Sequence, residues 1–336
     1  MPPPASTTVP ATGMGPPGHV TSAQEPYPSP AHLAAATTQH TQGRFTVTTR
    51  KLPISKSAPI ARMEARLGIP VPEMIFGDNV VSVRHEPTGW RIEFNAYDAL
   101  DAVDKTDKNM LQVAYAKSWS ASREQTSAGI KEVVKPYDWS YSTTYRGTTT
   151  SPSSSTSPSS SSTPSSPDHD HDHDNNNNTQ NNTKDIPQLA PVGPAADDPA
   201  RPAQQIPLEL LKRRDPILFF DDVVLYESEL DDNGISMLSV KTRVHEQRML
   251  LLCRLFMRLD HVVARVRDTR VYVDFDTDDV IREYTVKEGS YDDLKKAFRM
   301  SGLTPDGVTV ALRDGNKVAE LLPVIDQTIE HVSLKS

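Results

Sequence analysis

The side chains able to do chemistry in this sequence are few and scattered. His85, His245 and His261 fall in segments of apolar alternation, where neutral imidazoles could hold a metal ion. Each stands alone along the chain, so a site would need the fold to gather them; lone structural or surface histidines are the other reading. Asp98 and Asp268 could form a general acid/base pair. Against that, Asp98 reads as a carboxylate favoured at a helix start. Asp268 reads as a turn residue between two strands. Arg265 and Arg267 alternate with Ala264 and Val266, so both guanidinium groups leave one sheet face. They could clamp a carboxylate, or pair with acids on a solvated face. Cys253 lies in an apolar run, where a thiol behaves as a small hydrophobe. There is no GxSxG elbow, Walker loop, HExxH or cysteine pair.

Two formal motifs carry little. Gly13, Gly15 and Gly18 match GxGxxG, but no strand precedes them and Pro16-Pro17 stands where a helix should open. Asp168 to Asp174 alternates with His169, His171 and His173, which could hold a borderline metal but reads as a solvated low-complexity tract. The chain is therefore expected to need no metal or cofactor and to catalyse nothing. A hydrolase or metal-dependent enzyme built from the scattered Asp and His residues is the alternative. Interaction features are denser. Lys135-Pro136-Tyr137-Asp138-Trp139, followed by Tyr141 and Tyr145, is rich in rigid aromatics of the kind found at interfaces. The same residues could form an internal packing ladder, with Tyr141 and Tyr145 on one strand face.

The elements that would position these residues are mostly strands. Arg44 to Arg50 alternates as a first strand. Ser57 is expected to cap a short helix bearing Ile60, Met63 and Leu67, with Gly68 as its stop. Asn79 to His85 and Trp90 to Asn95 flank Glu86-Pro87-Thr88-Gly89, a hairpin. Asn95 caps the next helix, with Asp98 three residues on. Phe219 to Leu225 and Ile235 to Val244 flank Asp231-Asp232-Asn233-Gly234, where Asn-Gly suits the positive φ of a tight turn. Met249 to Leu259 is a buried strand or helix that periodicity alone does not decide; it reads as a strand because His261 to Arg267, Val271 to Phe275 and Val280 to Val286 follow as alternating segments with short gaps. Ser290 and Asp293 form a capping box before Leu294 and Phe298.

Strands follow strands through hairpins, so the fold class is α+β on antiparallel sheet, with a few short helices in a single domain. The chain of 336 residues has 28 Pro, a 36% hydrophobic share and 6% aromatics. The shortfall lies in two stretches, 1–43 and 148–204, whose Pro, Ser, Thr, His and Asn content cannot offset ordering entropy. These read as a disordered tail and a disordered insert within a domain spanning 44–300, with 301–336 as an unplaced extension. Ser151-Pro152, Ser157-Pro158, Thr163-Pro164 and Ser166-Pro167 in the insert are sites a proline-directed kinase could use. A net charge of −8 argues against general nucleic-acid binding. No apolar run approaches the ~18 residues of a membrane span. One cysteine and no visible signal peptide fit a reducing compartment.

Read in order, certain segments resemble the TIPRL family of TOR-pathway regulators. They are Pro72-Glu73-Met74-Ile75-Phe76-Gly77-Asp78-Asn79, Ile92-Glu93-Phe94-Asn95-Ala96 with Asp98-Ala99-Leu100, and Lys135-Pro136-Tyr137-Asp138-Trp139. Tyr145-Arg146-Gly147-Thr148, Leu238-Ser239-Val240-Lys241, Asp268-Thr269-Arg270 and Arg282-Glu283-Tyr284 continue the series. The resemblance covers roughly 44–148 and 205–300. It implies a non-enzymatic regulator of type 2A-like serine/threonine phosphatases, cytoplasmic and open to the nucleus. It also implies binding of the phosphatase catalytic subunit, including its short C-terminal tail, in a surface cleft. A link to the Tap-forty-two/alpha-four type adaptor goes with it. Carried over by position, Asp98 and Asp268 would accept hydrogen bonds from that tail, and Ile206 and Val266 would bury its apolar side chains.

Overall fold

In the computed structural model, residues 27–105, 137–150, 186–192, 205–230 and 232–335 are described. The chain divides into two units, Met1–Ala35 and Ala36–Ser336. In the first, helix α1 (Pro30–Ala35) begins beside Ser29, whose hydroxyl lies 2.8 Å from His32 Nδ1.

The second unit is built from two antiparallel sheets. One has five strands in the order β1 (Thr37–Gln42), β2 (Phe45–Arg50), β4 (Val80–His85), β5 (Arg91–Asn95) and β6 (Thr148–Thr149). The other has eight, in the order β3 (Met74–Ile75), β8 (Phe219–Ser228), β9 (Gly234–Val244), β10 (Arg248–Leu259), β11 (Val263–Asp274), β12 (Asp279–Ser290), β13 (Val324–Ser333) and β7 (Ala190–Pro191). The period-2 pattern decides which face is buried. Phe45, Val47, Val81, Val83, Ile92 and Phe94 of the small sheet meet Val240, Leu251, Cys253, Leu255, Val271 and Val273 of the large one in a single core. Helix α2 (Ser57–Leu67) and helix α3 (Ala96–Asp101) close that core through Leu67, Ala96, Ala99 and Leu100.

Several local expectations hold. Gly68 ends α2 at φ 72° and donates to Glu64 O. The Asn95 side chain accepts from Asp98 N at the start of α3. Gly89 takes φ 72° in the β4–β5 hairpin.

Others are corrected. Ser57 is the first helical residue of α2; Lys56 holds the cap position and makes no side-chain cap. In the β8–β9 connection the positive φ values fall on Leu230 and Asp232. Gly234 is needed for another reason: a Cβ there would stand 1.9 Å from Arg258 O on β10. His261–Arg267 and Val271–Phe275 are not two strands. Val263–Asp274 is one continuous strand paired along its length with both β10 and β12, so Asp268 lies in mid-strand rather than in a turn.

The segment boundaries move as well. Strand β1 falls inside 1–43, because its polar residues pair with β2 from Thr37↔Arg50 to Gln42↔Phe45 without needing to be buried. Strands β6 and β7 fall inside 148–204, each held as a short edge partner. Residues 151–185 and 193–204 of that stretch lie outside the described residues. The final segment is part of the domain. Helix α5 (Tyr291–Met300), helix α6 (Pro305–Ala311) and helix α7 (Gly315–Leu321) cap the large sheet, and β13 extends it beyond β12.

Candidate functional site

Alternate residues of the large sheet point away from the sandwich core. Register aligns them into rows across the strands. Met237, Phe256, Val266 and Lys287 form one row. Ser239, Arg254, Asp268 and Thr285 form the next, and Lys241, Leu252, Arg270 and Glu283 the one after. Arg243, Leu250, Tyr272 and Ile281 form the fourth.

The outer rows are covered. Leu294 and Phe298 of α5, Val308 of α6 and Val318 of α7 pack on Phe256, Ala264 and Val266. Lys287 Nζ fastens this cap by donating to Ala319 O at 2.7 Å. At the other end, Ile206 and Leu211 lie on Leu250, Tyr272 and Ile281, Leu211 being in helix α4 (Leu208–Lys212). Arg248 anchors this segment through Leu210 O at 2.7 Å and Asp215 at 2.6 Å. The Tyr272 hydroxyl there is pushed up to about 12 by burial and then by Asp274.

The two middle rows are the floor of a groove between these covers. Beside Leu252, Arg254 and Phe256 it deepens into a cavity of about 290 Å³, with Lys241, Arg313 and Asn316 around it. Its polar centre is a chain of charges. Asp268, 2% exposed, accepts from Arg254 Nε at 2.6 Å and Nη2 at 2.7 Å, the two-pronged geometry a guanidinium offers a carboxylate. Arg270 Nη2 adds a third bond to Asp268 at 3.0 Å, and its Nη1 donates to Glu283 at 2.7 Å. Arg254 Nη1 reaches Asn316 Oδ1 at 2.8 Å, tying the floor to α7.

The four carried-over residues fall at different places in this geometry. Three share the outer face: Asp268 in the floor, Val266 fully buried under the helical cap, and Ile206 buried in the opposite cover. Asp268 spends its oxygens on Arg254 and Arg270, so it sets two guanidinium groups in place. Arg270, at 30% side-chain exposure, is the more accessible of the pair. Asp98 belongs to the other layer. It accepts from Asn95 Nδ2 at 2.9 Å and from the Thr148 hydroxyl, and no contact joins it to Asp268, so the two do not form an acid/base pair. Arg254 and Glu283 were not singled out from sequence as groove residues. The available signal was that Leu252, Arg254 and Phe256 alternate outward while Leu251, Cys253 and Leu255 alternate inward.

The remaining candidates separate. His85 is fully buried, with Nδ1 2.9 Å from the Thr88 hydroxyl and Nε2 3.8 Å from Asp278. His245 Nδ1 lies 2.9 Å from Pro216 O, and His261 tilts against Tyr291. Among the described residues no group of three or more His, Cys, Asp or Glu could hold a metal ion. Cys253 is buried, which pushes its thiol well up, with Asp268 adding to the shift. Tyr137 and Tyr141 pack inward, with ring centroids 6.0 Å apart, and Tyr226 Oη donates to Tyr141 O at 2.9 Å. They do so from a loop, not a strand; Tyr141 has φ 56°. Lys135 and Pro136 lie outside the described residues. Arg265 and Arg267 do share a face, but it is the inner one, not a solvated one. Arg265 donates to Glu288 at 2.5 Å and to Ser142 at 2.7 Å, with Asp138 3.8 Å away.

Among the described residues no helix is long and apolar enough to cross a membrane. Residues 74–295 match the model of the TIP41-like family. The sequence is 36% identical over 301 residues to the type 2A phosphatase activator TIP41 of Saccharomyces cerevisiae, covering 85% of this chain and 72% of that one. It is 35% identical over 289 residues to the human TIP41-like protein, covering 86% of each. It is 29% identical over 287 residues to the type 2A phosphatase activator tip41 of Schizosaccharomyces pombe, covering 85% of this chain and 94% of that one.

Proposed function

The chain belongs to the TIP41-like family, and from that membership we propose that it is a non-catalytic regulator of type 2A-like serine/threonine phosphatases. The observation that carries the proposal is similarity along most of both chains to relatives named as type 2A phosphatase activators. The catalytic subunit is the partner, and its extended tail lies in the groove between the helical cap and the Ile206 segment. Leu252 offers the tail apolar contact, and Arg270 and Glu283 offer a donor and an acceptor. Asp268 acts through the two arginines it holds. An adaptor of the Tap-forty-two/alpha-four type is a second partner, and the setting is TOR signalling in the cytoplasm.

Capture of purified catalytic subunit by the immobilised full chain tests the proposal. A charged hydrogen bond is worth about 1.5–3 kcal/mol, so Arg270→Ala should weaken capture about tenfold or more. Unchanged affinity in a folded Arg270→Ala/Glu283→Ala variant would place the contact elsewhere, with Asp98 and Thr148 the next pair to change. Adding the adaptor without phosphatase to the same surface tests direct adaptor binding.

A further inference from the structure

We propose that the inner face of the large sheet carries a second binding site, for a carboxylate, centred on Arg267. At this end of the sandwich the face is covered by the 137–145 segment rather than by the small sheet. A cavity of about 490 Å³ remains, lined by Asp104, Asp138, Ser142, Thr144, Arg265 and Arg267.

The two arginines differ. Arg265 is held by Glu288, Ser142 and Asp138. Arg267 makes no ion pair or hydrogen bond with any described residue, and its Nε is closed off from water without an acceptor. The side chain is partly buried and lines the cavity, and an enclosed N–H without an acceptor is unfavourable unless something reaches it. Burial foremost, and then Arg265, lowers the Arg267 pKa, while Tyr284, Asp138 and Glu288 oppose the shift. One strand over on the same face, the Tyr284 hydroxyl is also buried without a partner. Burial raises its pKa, so it stays a donor at neutral pH. The Arg146 guanidinium lies 4.2 Å from the centre of the Tyr284 ring. Arg267 therefore lines the cavity with an unused donor, and a second, Tyr284, stands diagonally across the strand pair on the same face.

A planar monoanion suits this place better than a phosphate. A carboxylate matches the guanidinium fork. Asp138 and Glu288 already stand beside the arginines, so a dianion would meet repulsion that a single charge escapes. The cavity is large enough for a free organic acid or for an acidic side chain of a bound peptide.

The test uses the purified full chain at neutral pH and constant ionic strength set with sodium chloride. Acetate, succinate, inorganic phosphate and a short peptide with a central glutamate are titrated separately. Binding is read by calorimetry and by the melting temperature, which rises when a ligand binds the folded state alone. A saturable response to a carboxylate, weakened at least tenfold in Arg267→Gln and kept in the exposed control Arg299→Gln, supports the site. A response to succinate identifies a free acid as the source, and a response to the peptide alone identifies a protein. Without ligand, Arg267→Gln should melt at the same temperature or higher, because it removes an enclosed Nε that has no acceptor. The proposal is overturned by no saturable response to any carboxylate, by tenfold preference for phosphate, or by an equal response in Arg267→Gln. An Arg267→Gln melting point several degrees below that of the parent would also overturn it, by revealing a structural partner.

Discussion

Replacing Asp268 with leucine separates two roles that lead to opposite results. If Asp268 met the phosphatase tail directly, Asp268→Leu would reduce binding and leave stability alone. In the structure the carboxylate has partners within the chain, which adds a stability role. The carboxylate is 2% exposed and takes three bonds from Arg254 and Arg270, whose side chains are 13% and 30% exposed. Removing it leaves the largely buried Arg254 guanidinium without a counter-charge, while Arg270 keeps Glu283. Breaking a buried pair by deleting one partner costs about 3–5 kcal/mol. For a domain of this size each kcal/mol moves the melting temperature by roughly 2–4 °C, so a fall on the order of 10 °C is expected. Replacing a buried pair by apolar groups of similar volume is often nearly neutral. Arg254→Met/Asp268→Leu should therefore recover most of the loss, leaving only Arg270 to pair with Glu283. Thermal and urea denaturation followed by circular dichroism would measure both variants, with capture of the catalytic subunit on the same samples. A single Asp268→Leu variant that melts like the parent yet fails to bind would refute the clamp and restore Asp268 as a direct contact.

Three further outcomes follow from the packing. Burial foremost lowers the pKa of His85 below its ordinary value, against the opposing pull of Asp278. The unfolded chain then takes up a proton that the folded one refuses, so stability present above about pH 6.5 should decline as pH falls through the lowered folded value. Urea midpoints at pH 7.5 and 5.5 measure this, and His85→Gln should flatten the difference. Gly234→Ala places a methyl 1.9 Å from the Arg258 carbonyl, which β10 cannot yield without moving. A loss of about 3 kcal/mol or more is expected in denaturant titration, while Gly68→Ala, with open space but φ +72°, should lose only about 1–2 kcal/mol. Cys253 should resist a thiol reagent in the native protein and react once urea unfolds it, because burial keeps the thiolate scarce; rapid native labelling would contradict its packing.

Local chemistry was legible wherever one short stretch of chain determines the outcome. Gly68 stops α2, and Asn95 and Ser290 cap their helices, all through interactions spanning four residues or fewer. The family resemblance, too, rested on short segments taken in order. What sequence could not supply was the identity of the partners across strands. Arg254 reads as an interruption of an apolar run until β11 brings Asp268 opposite it, with Arg270 two residues on. Arg265 and Arg267 look alike along the chain, yet Glu288 and Ser142 reach one and nothing described reaches the other. β13 is mostly exposed and shows no strong alternation, so only pairing with β12 makes it a strand. Register is set by hydrogen bonds between residues far apart in sequence, and register alone decides which charges share a row, which are buried, and which stay open to a partner.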